Sequence, residues 1–228
     1  MDHLEIDLRL KFPFTMLVVA PSSGGKSTWT LELIKRRNEI LTQRVDKVIY
    51  VYTEMQDSYR QFSETNSDVI FTDDKDKINE YIDRDLKLLI IFDDKLLDFQ
   101  QKENSYITDW FVKKSHHKNC SVIVLIQQLY AKNLRTCSIN SKYIVLFPSP
   151  RDCLQYYCLS RQMYPANPLF LVKAFEHATQ KMFHYLFIDL HSQTDPRFRL
   201  RNQLYPSKDM VIYVPPQYTN LTKNPNHE

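Results

Sequence analysis

An α/β fold with a central, mostly parallel sheet flanked by helices is predicted by three features of this chain. Its two glycines among 228 residues, Gly24 and Gly25, stand side by side, whereas an average chain carries about 7% glycine. They lie in an apolar run, a small-residue loop and a helix-like segment: Met16-Leu17-Val18-Val19-Ala20-Pro21-Ser22-Ser23-Gly24-Gly25-Lys26-Ser27-Thr28, then Trp29 to Arg37. Further on, the unbroken apolar run Leu88-Leu89-Ile90-Ile91-Phe92 ends in Asp93 and Asp94. Such a run suits a strand covered on both faces, and open α/β sheets place ligands beyond the C-terminal ends of their strands.

Glycine admits φ > 0 and lets backbone approach a ligand closely, so its concentration in one loop marks where that freedom is used. The spacing is that of a phosphate-binding loop, G-x-x-x-x-G-K-[ST], with Ala20 in the first position. Consecutive N–H groups of such a loop and of the following helix N-terminus converge on an anion. Pro21, Ser22, Ser23, Gly24, Gly25, Lys26, Ser27 and Thr28 are therefore the expected nucleotide-binding set. Lys26 is expected to reach the β- and γ-phosphates of ATP, and the Ser27 hydroxyl to ligate Mg²⁺. Asp93 would hold Mg²⁺ through its water shell, and Asp94 would orient or activate the attacking water. Glu54, at the end of the second strand, is the alternative catalytic carboxylate.

The remaining elements follow from periodicity and punctuation. Residues 1–12 alternate apolar and polar, as an edge strand does; Pro13 interrupts them, and 14–20 form the first central strand. Helix 27–41 is expected to bury Leu31, Ile34 and Leu41 and to turn Lys35, Arg36 and Arg37 to solvent. Residues 46–53 are β-branched and aromatic, hence a strand. Then come a short helix at 56–62, a short strand at 69–71, a surface helix at 75–84, the strand at 88–92, a polar stretch at 95–104 and a helix at 107–114. Residues 121–128 form a further buried strand with Gln127 at its tip, where it would position water beside the γ-phosphate. A turn containing Arg135 leads to a strand at 142–147, and two prolines in Pro148-Ser149-Pro150-Arg151-Asp152 lock a loop that presents Arg151. Helices at 152–163 and 168–179 and a strand at 182–190 follow. The segment 194–201 carries Arg197, Arg199 and Arg201, and a last strand spans 210–214. With no repeat and no break in composition, residues 1–215 are expected to form one P-loop domain, and 216–228 a polar, disordered tail.

Composition narrows the class. Hydrophobic content of 43% and charged content of 25% are those of a soluble globular domain. The formal charge of +3 does not by itself announce nucleic acid. Cys120, Cys137, Cys153 and Cys158 form no C-x-x-C pair, which suits reduced thiols of an intracellular protein. His116, His117 and Cys120 lack a fourth ligand and do not make a zinc site. No signal core is visible and no apolar run approaches the ~20 residues that span a bilayer, so neither secretion nor a membrane partner is expected.

The order of strands suits the hydrolase branch of P-loop NTPases (ASCE/RecA-like), in which an additional strand lies between the two signature strands and a carboxylate activates water. A nucleotide kinase fits less well, since no Gly/Arg-rich lid is present. The ordered series Phe12-Pro13-Phe14-Thr15, Ile91-Phe92-Asp93-Asp94, Ser115-His116-His117-Lys118-Asn119, Gln127, Arg135, Asn140, Pro150-Arg151-Asp152, Arg161-Gln162-Met163-Tyr164-Pro165 and Asn167-Pro168 carries a more specific likeness. It resembles the genome-packaging ATPases of adintoviruses and polinton (Maverick) elements, relatives of the poxvirus-type packaging ATPases in the FtsK–HerA superfamily. The resemblance runs from about residue 11 to 214; Ala20 and Gln128 depart from its pattern.

That resemblance implies a Mg²⁺-dependent ATPase motor, a homo-oligomeric ring of five or six subunits, that drives double-stranded viral DNA into a capsid through its portal vertex. It further implies an intracellular site of action, in nucleus or cytoplasm. Such rings use a positive side chain from the neighbouring subunit, a contribution worth about 10³–10⁵ in rate in GTPase systems. Arg135 and Arg151 are the candidates, with Arg161 a third; Lys113, Lys114 and Lys118, or Arg197, Arg199 and Arg201, are candidates for DNA phosphate. A DNA-dependent helicase-like replication subunit or a nucleotide-dependent switch is the alternative reading.

Overall fold

Runs of β-branched and large apolar residues form the strands, and one of them leads into the glycine pair. The computed structural model describes residues 6–82, 84, 86–93, 106–115, 118–130 and 134–219. These fall into two compact units that divide after Ser141.

In the first unit five strands lie in the order β3-β2-β4-β5-β1: β1 is Thr15–Val19, β2 Lys47–Val51, β3 Val69–Thr72, β4 Leu88–Asp93 and β5 Cys120–Ile126. Every pairing among them is parallel. All residues of β1, β4 and β5 are buried, as strands covered on both faces are. β5 lies between the loop strand β1 and the carboxylate strand β4, the strand placement of the hydrolase branch. Register aligns the strand ends: Val19 stands opposite Ile126, and Asp93 opposite Leu125. Ala20, Asp93 and Gln127 thus leave the sheet at one level.

Helix α1, Lys26–Lys35, is shorter than the periodicity predicts, and a separate turn, Arg37–Ile40, follows. The break has a cause in Arg37, which is buried instead of facing solvent. Its Nη1 donates to the Ile34 carbonyl at 2.6 Å and its Nη2 pairs with Asp68. The buried face of α1 is Trp29, Thr30, Leu33 and Ile34, so Leu33 takes the core position expected of Leu31. The edge strand expected over 1–12 is, among the described residues, a single bridge between Leu10 and Leu41. The helix expected at 107–114 is one α turn, Tyr106–Asp109, continued by a π turn, Trp110–Lys114.

The second unit is antiparallel: β6 (Tyr143–Leu146), β7 (Leu186–Asp189), β8 (Leu200–Arg201) and β9 (Ile212–Tyr213) pair in succession. Helices Leu154–Met163 and Leu169–Ala178 pack together through Tyr156 and Phe175, whose stacked rings lie 4.4 Å apart. The second helix buries Leu171, Val172, Ala174, Phe175 and Ala178, the spacing of one helical face. β7 is shorter than the expected 182–190 because Met182 and Phe183 stand exposed in a turn with Phe183 at φ 60°. Residues 216–219 of the polar tail form a single helical turn. Among the described residues no helix is long and apolar enough to cross a membrane.

Candidate nucleotide-phosphate site

The loop between β1 and α1 is shaped by its own backbone. Ala20 N–H donates to the Ile126 carbonyl at 3.1 Å, which ties the loop entrance to β5. The Gly24 N–H closes a turn on the Pro21 carbonyl at 3.0 Å. A Cβ on Gly24 would lie 2.9 Å from that same carbonyl oxygen and 3.0 Å from the Ala20 Cβ, so the turn admits glycine alone. Gly25 sits at φ 91° and Ser23 at φ 60°. The left-handed conformation suits Gly25 and strains Ser23 by about 1–3 kcal/mol.

Gly25 caps α1 without a side-chain hydrogen bond. The amides of Lys26, Ser27 and Thr28 are therefore those a helix start leaves without intrahelical partners, at its positive end. This is an anion site built from backbone. Lys26, 8% exposed, lies back over the loop, its Nζ donating to the carbonyls of Ala20 at 2.7 Å and Pro21 at 2.9 Å.

Across from the loop, Asp93 ends β4 and is 6% exposed. Three hydroxyls meet its Oδ2: Tyr50 at 2.8 Å, Tyr59 at 2.5 Å and Ser27 at 3.4 Å. Burial pushes the Tyr50 phenol well above its ordinary range, with Asp93 adding to the effect. Burial and then the hydrogen bond to Asp93 push Tyr59 up to about 12. Both phenols thus keep their protons and donate throughout the physiological range.

A pocket of about 290 Å³ opens between these groups. Ser22, Ser23, Lys26 and Ser27 line its loop side, Asp93 and Gln127 its sheet side, and Tyr52, Thr53, Glu54 and Gln56 its far wall. Hard oxygen donors from Ser27 and Asp93 face each other across 3.4 Å, a donor set that fits Mg²⁺ with retained waters.

The other expected residues are placed as follows. Arg135 is exposed and begins the short helix Arg135–Ile139. Arg151, in the second unit, is exposed in the turn after β6. Asp94, like His116 and His117, lies outside the described residues. Arg201 cannot serve as a DNA contact: it is fully buried, ion-paired with Asp189 at 3.4 Å and stacked 4.5 Å over the Phe187 ring. Arg199 spends its Nη1 on the Asp189 and His191 carbonyls, and Arg197 is clasped by Asp195 at 2.7 Å. Tyr50, Tyr59 and the wall residues Tyr52, Thr53 and Gln56 were not foreseen. Their separation of more than thirty positions from Asp93 leaves no local spacing to read.

The strand–loop–helix with Lys26, the interposed β5 and Asp93 at the end of β4 together define a P-loop NTPase fold. No family model and no curated protein matches the chain. Solved structures do. The chain is similar to the genome packaging NTPase B204 from Sulfolobus turreted icosahedral virus 2 in complex with AMP: TM-score 0.55 and 17% identity, over 89% of this chain and 98% of that one. The same NTPase with AMPPCP matches at TM-score 0.54 and 17% identity, over 89% and 97%. B204 described as the DNA-packaging ATPase from Sulfolobus turreted icosahedral virus matches at TM-score 0.55 and 15% identity, over 89% and 98%. At such identities the likeness is one of fold.

Proposed function

We propose that this chain is an ATP-hydrolysing motor that drives double-stranded DNA into a viral capsid. The observation that carries the reading is the convergence of the Gly24-Gly25-Lys26 loop, Ser27, Asp93 and Gln127 on one pocket. In support, B204, of the same fold over nearly its whole length, is a genome packaging NTPase found with AMP, AMPPCP and ATP-gammaS. The motif series that resembles adintovirus and polinton packaging ATPases points the same way.

In this reading the α1 amides and Lys26 bind the β- and γ-phosphates. Ser27 and Asp93 hold Mg²⁺, which when bound neutralises charge on the phosphate oxygens. Gln127 and a carboxylate orient a water that attacks the γ-phosphorus. The bond to the bridging oxygen breaks, ADP carries away the electron pair, and the water's proton passes to the carboxylate. Asp94 is assigned that carboxylate role, and Glu54, on the pocket wall, is its competitor. An arginine from a neighbouring subunit of a homo-oligomeric ring, Arg151 or Arg135, stabilises charge in the transition state. With Arg201 buried and Arg197 and Arg199 engaged, DNA phosphate falls to the exposed Lys118 and to Lys113, exposed in a pair with Asp109 at 3.3 Å. The capsid vertex is the static partner, inside an infected cell.

The test is ATP hydrolysis by the purified chain with and without duplex DNA, alongside its mass in solution with a non-hydrolysable analogue. Stimulation by duplex and assembly into a closed ring are expected. Phosphoryl transfer to a nucleoside with no response to DNA would overturn the motor in favour of a kinase.

A further inference from the structure

Asp93 is buried at the end of β4, and its Oδ2 is occupied by phenols from two other elements. Tyr50 comes from β2 and Tyr59 from the helix Asp57–Thr65. The two hydroxyls lie 3.3 Å apart and converge on that one oxygen, which the Ser27 hydroxyl also approaches at 3.4 Å. Both rings also pack on Phe71, with centroids 5.1 Å and 5.3 Å away. Packing alone would be served by phenylalanine at either place. A buried hydroxyl requires a partner, and the partner both have is the carboxylate of the nucleotide pocket. The residues between them include Thr53, Glu54 and Gln56 of the pocket wall, so that wall is tied to Asp93 at both ends.

We propose that Tyr50 and Tyr59 are positioning residues for Asp93: their hydroxyls hold Oδ2 and so fix the carboxylate facing Ser27, the pair that would hold the divalent cation of the bound nucleotide. The inference rests on the nucleotide reading above. Two short phenol bonds to Oδ2, the oxygen that Ser27 also approaches at 3.4 Å, fix the side chain's rotation. Without them the carboxylate would turn, and the cation would lose a fixed oxygen opposite Ser27.

The experiment titrates a fluorescent ATP analogue onto the wild-type chain, Tyr50→Phe, Tyr59→Phe, the double variant and Phe71→Leu, first in EDTA and then with increasing Mg²⁺. The tyrosine variants are expected to bind in EDTA within about twofold of wild type. Each should raise the Mg²⁺ concentration at half-saturation about tenfold, the scale of a lost hydrogen bond to a charged group, and lower kcat more than it changes KM for ATP. Phe71→Leu, which loosens the rings and keeps the hydroxyls, should lower the melting temperature and leave the Mg²⁺ half-saturation unchanged. Tyr50→Phe and Tyr59→Phe report independently, so either one that folds suffices. Wild-type Mg²⁺ dependence in the double variant, or an equal shift in Phe71→Leu, overturns the positioning role. A wild-type chain that binds no nucleotide, or binding indifferent to Lys26→Ala, overturns the nucleotide reading and this proposal with it.

Discussion

Lys26 donates its ammonium to the carbonyl oxygen of Ala20 at 2.7 Å, bending back over the loop that precedes it. A second bond, to Pro21 at 2.9 Å, completes the clasp. Both acceptors are carbonyls at the start of the loop, and Lys26 itself lines the pocket, so the charge is held beside the helix N-terminus where an anion would sit. Lys26→Ala is expected to weaken ATP binding by about ten- to a hundredfold, the range of one charged hydrogen bond, and to bring hydrolysis to background. Water can replace the ammonium at the carbonyls, so the melting temperature should move by only a few degrees. Isothermal titration and a turnover assay check this; hydrolysis at the wild-type rate would remove Lys26 from the phosphate site.

Gly24 is constrained by space. An added methyl would stand 2.9 Å from the Pro21 carbonyl oxygen, which belongs to rigid backbone and cannot swing away. Gly24→Ala should open the loop, cost about 1–3 kcal/mol in stability as overpacking does, and lower nucleotide affinity about tenfold or more. A urea melt paired with nucleotide titration reads both effects. Affinity preserved in a destabilised variant would show that loop shape and binding are separable.

These two positions were legible because a phosphate loop is local: strand, turn, lysine and hydroxyl lie within thirteen residues of one another. The buried runs at β4 and β5 were legible for the same reason, since continuous apolarity needs no partner to be seen. Tyr50 and Tyr59 were not, because their meeting with Asp93 is made by the β2–β4 pairing and by the fold-back of a helix. Arg37 and Arg201 failed in the other direction. Periodicity and charge placed them in solvent, and a distant aspartate, Asp68 for one and Asp189 for the other, drew each inside.

The thiols divide into two classes. Burial pushes Cys120 up to about 12 and Cys137 up to about 11, while Cys153 and Cys158 are exposed. At pH 8 a thiol reagent should label Cys153 and Cys158 quickly, and the other two only after denaturation, because the thiolate is the reacting form. The raised values also set a sign for stability. The unfolded thiols lose protons near their ordinary pKa of about 8.5, whereas the folded ones retain theirs. The stability they contribute is full below that pH and falls as pH rises towards 11 to 12. Fast labelling of all four would contradict the burial.

Arg201 is expected to act on stability. Its partner Asp189 is raised above the usual carboxylate range by burial, and Arg201 opposes that shift. Removing the guanidinium leaves a buried carboxylate uncompensated, for which about 3–5 kcal/mol is typical. Arg201→Met should lose that much in a urea melt, whereas Arg197→Ala, at a half-exposed pair, should stay within about 0.5 kcal/mol. Equal stabilities would mean that the ion pair contributes nothing to the second unit.

The arginine that completes the proposed hydrolytic site is assigned to a neighbouring subunit. Among the described residues of the first unit, neither Arg135 nor any other arginine lines the nucleotide pocket, although Lys26 does. Arg151 is exposed in a proline-flanked turn, where a guanidinium held by short backbone keeps its direction while facing outward. If it acts across a subunit boundary, Arg151→Ala and Lys26→Ala should each be inactive alone, for opposite reasons. The first keeps an intact phosphate loop and the second keeps an intact arginine. In mixed rings, a Lys26→Ala subunit can lend its Arg151 to the loop of an Arg151→Ala neighbour. Random mixing at equal amounts pairs about one boundary in four in the productive sense, so hydrolysis should recover to roughly a quarter of wild type under transition-state stabilisation in trans. Recovery that grows and then declines across mixing ratios, read by phosphate release, supports the assignment; background rates at every ratio pass the role to Arg135, to be tested in the same way.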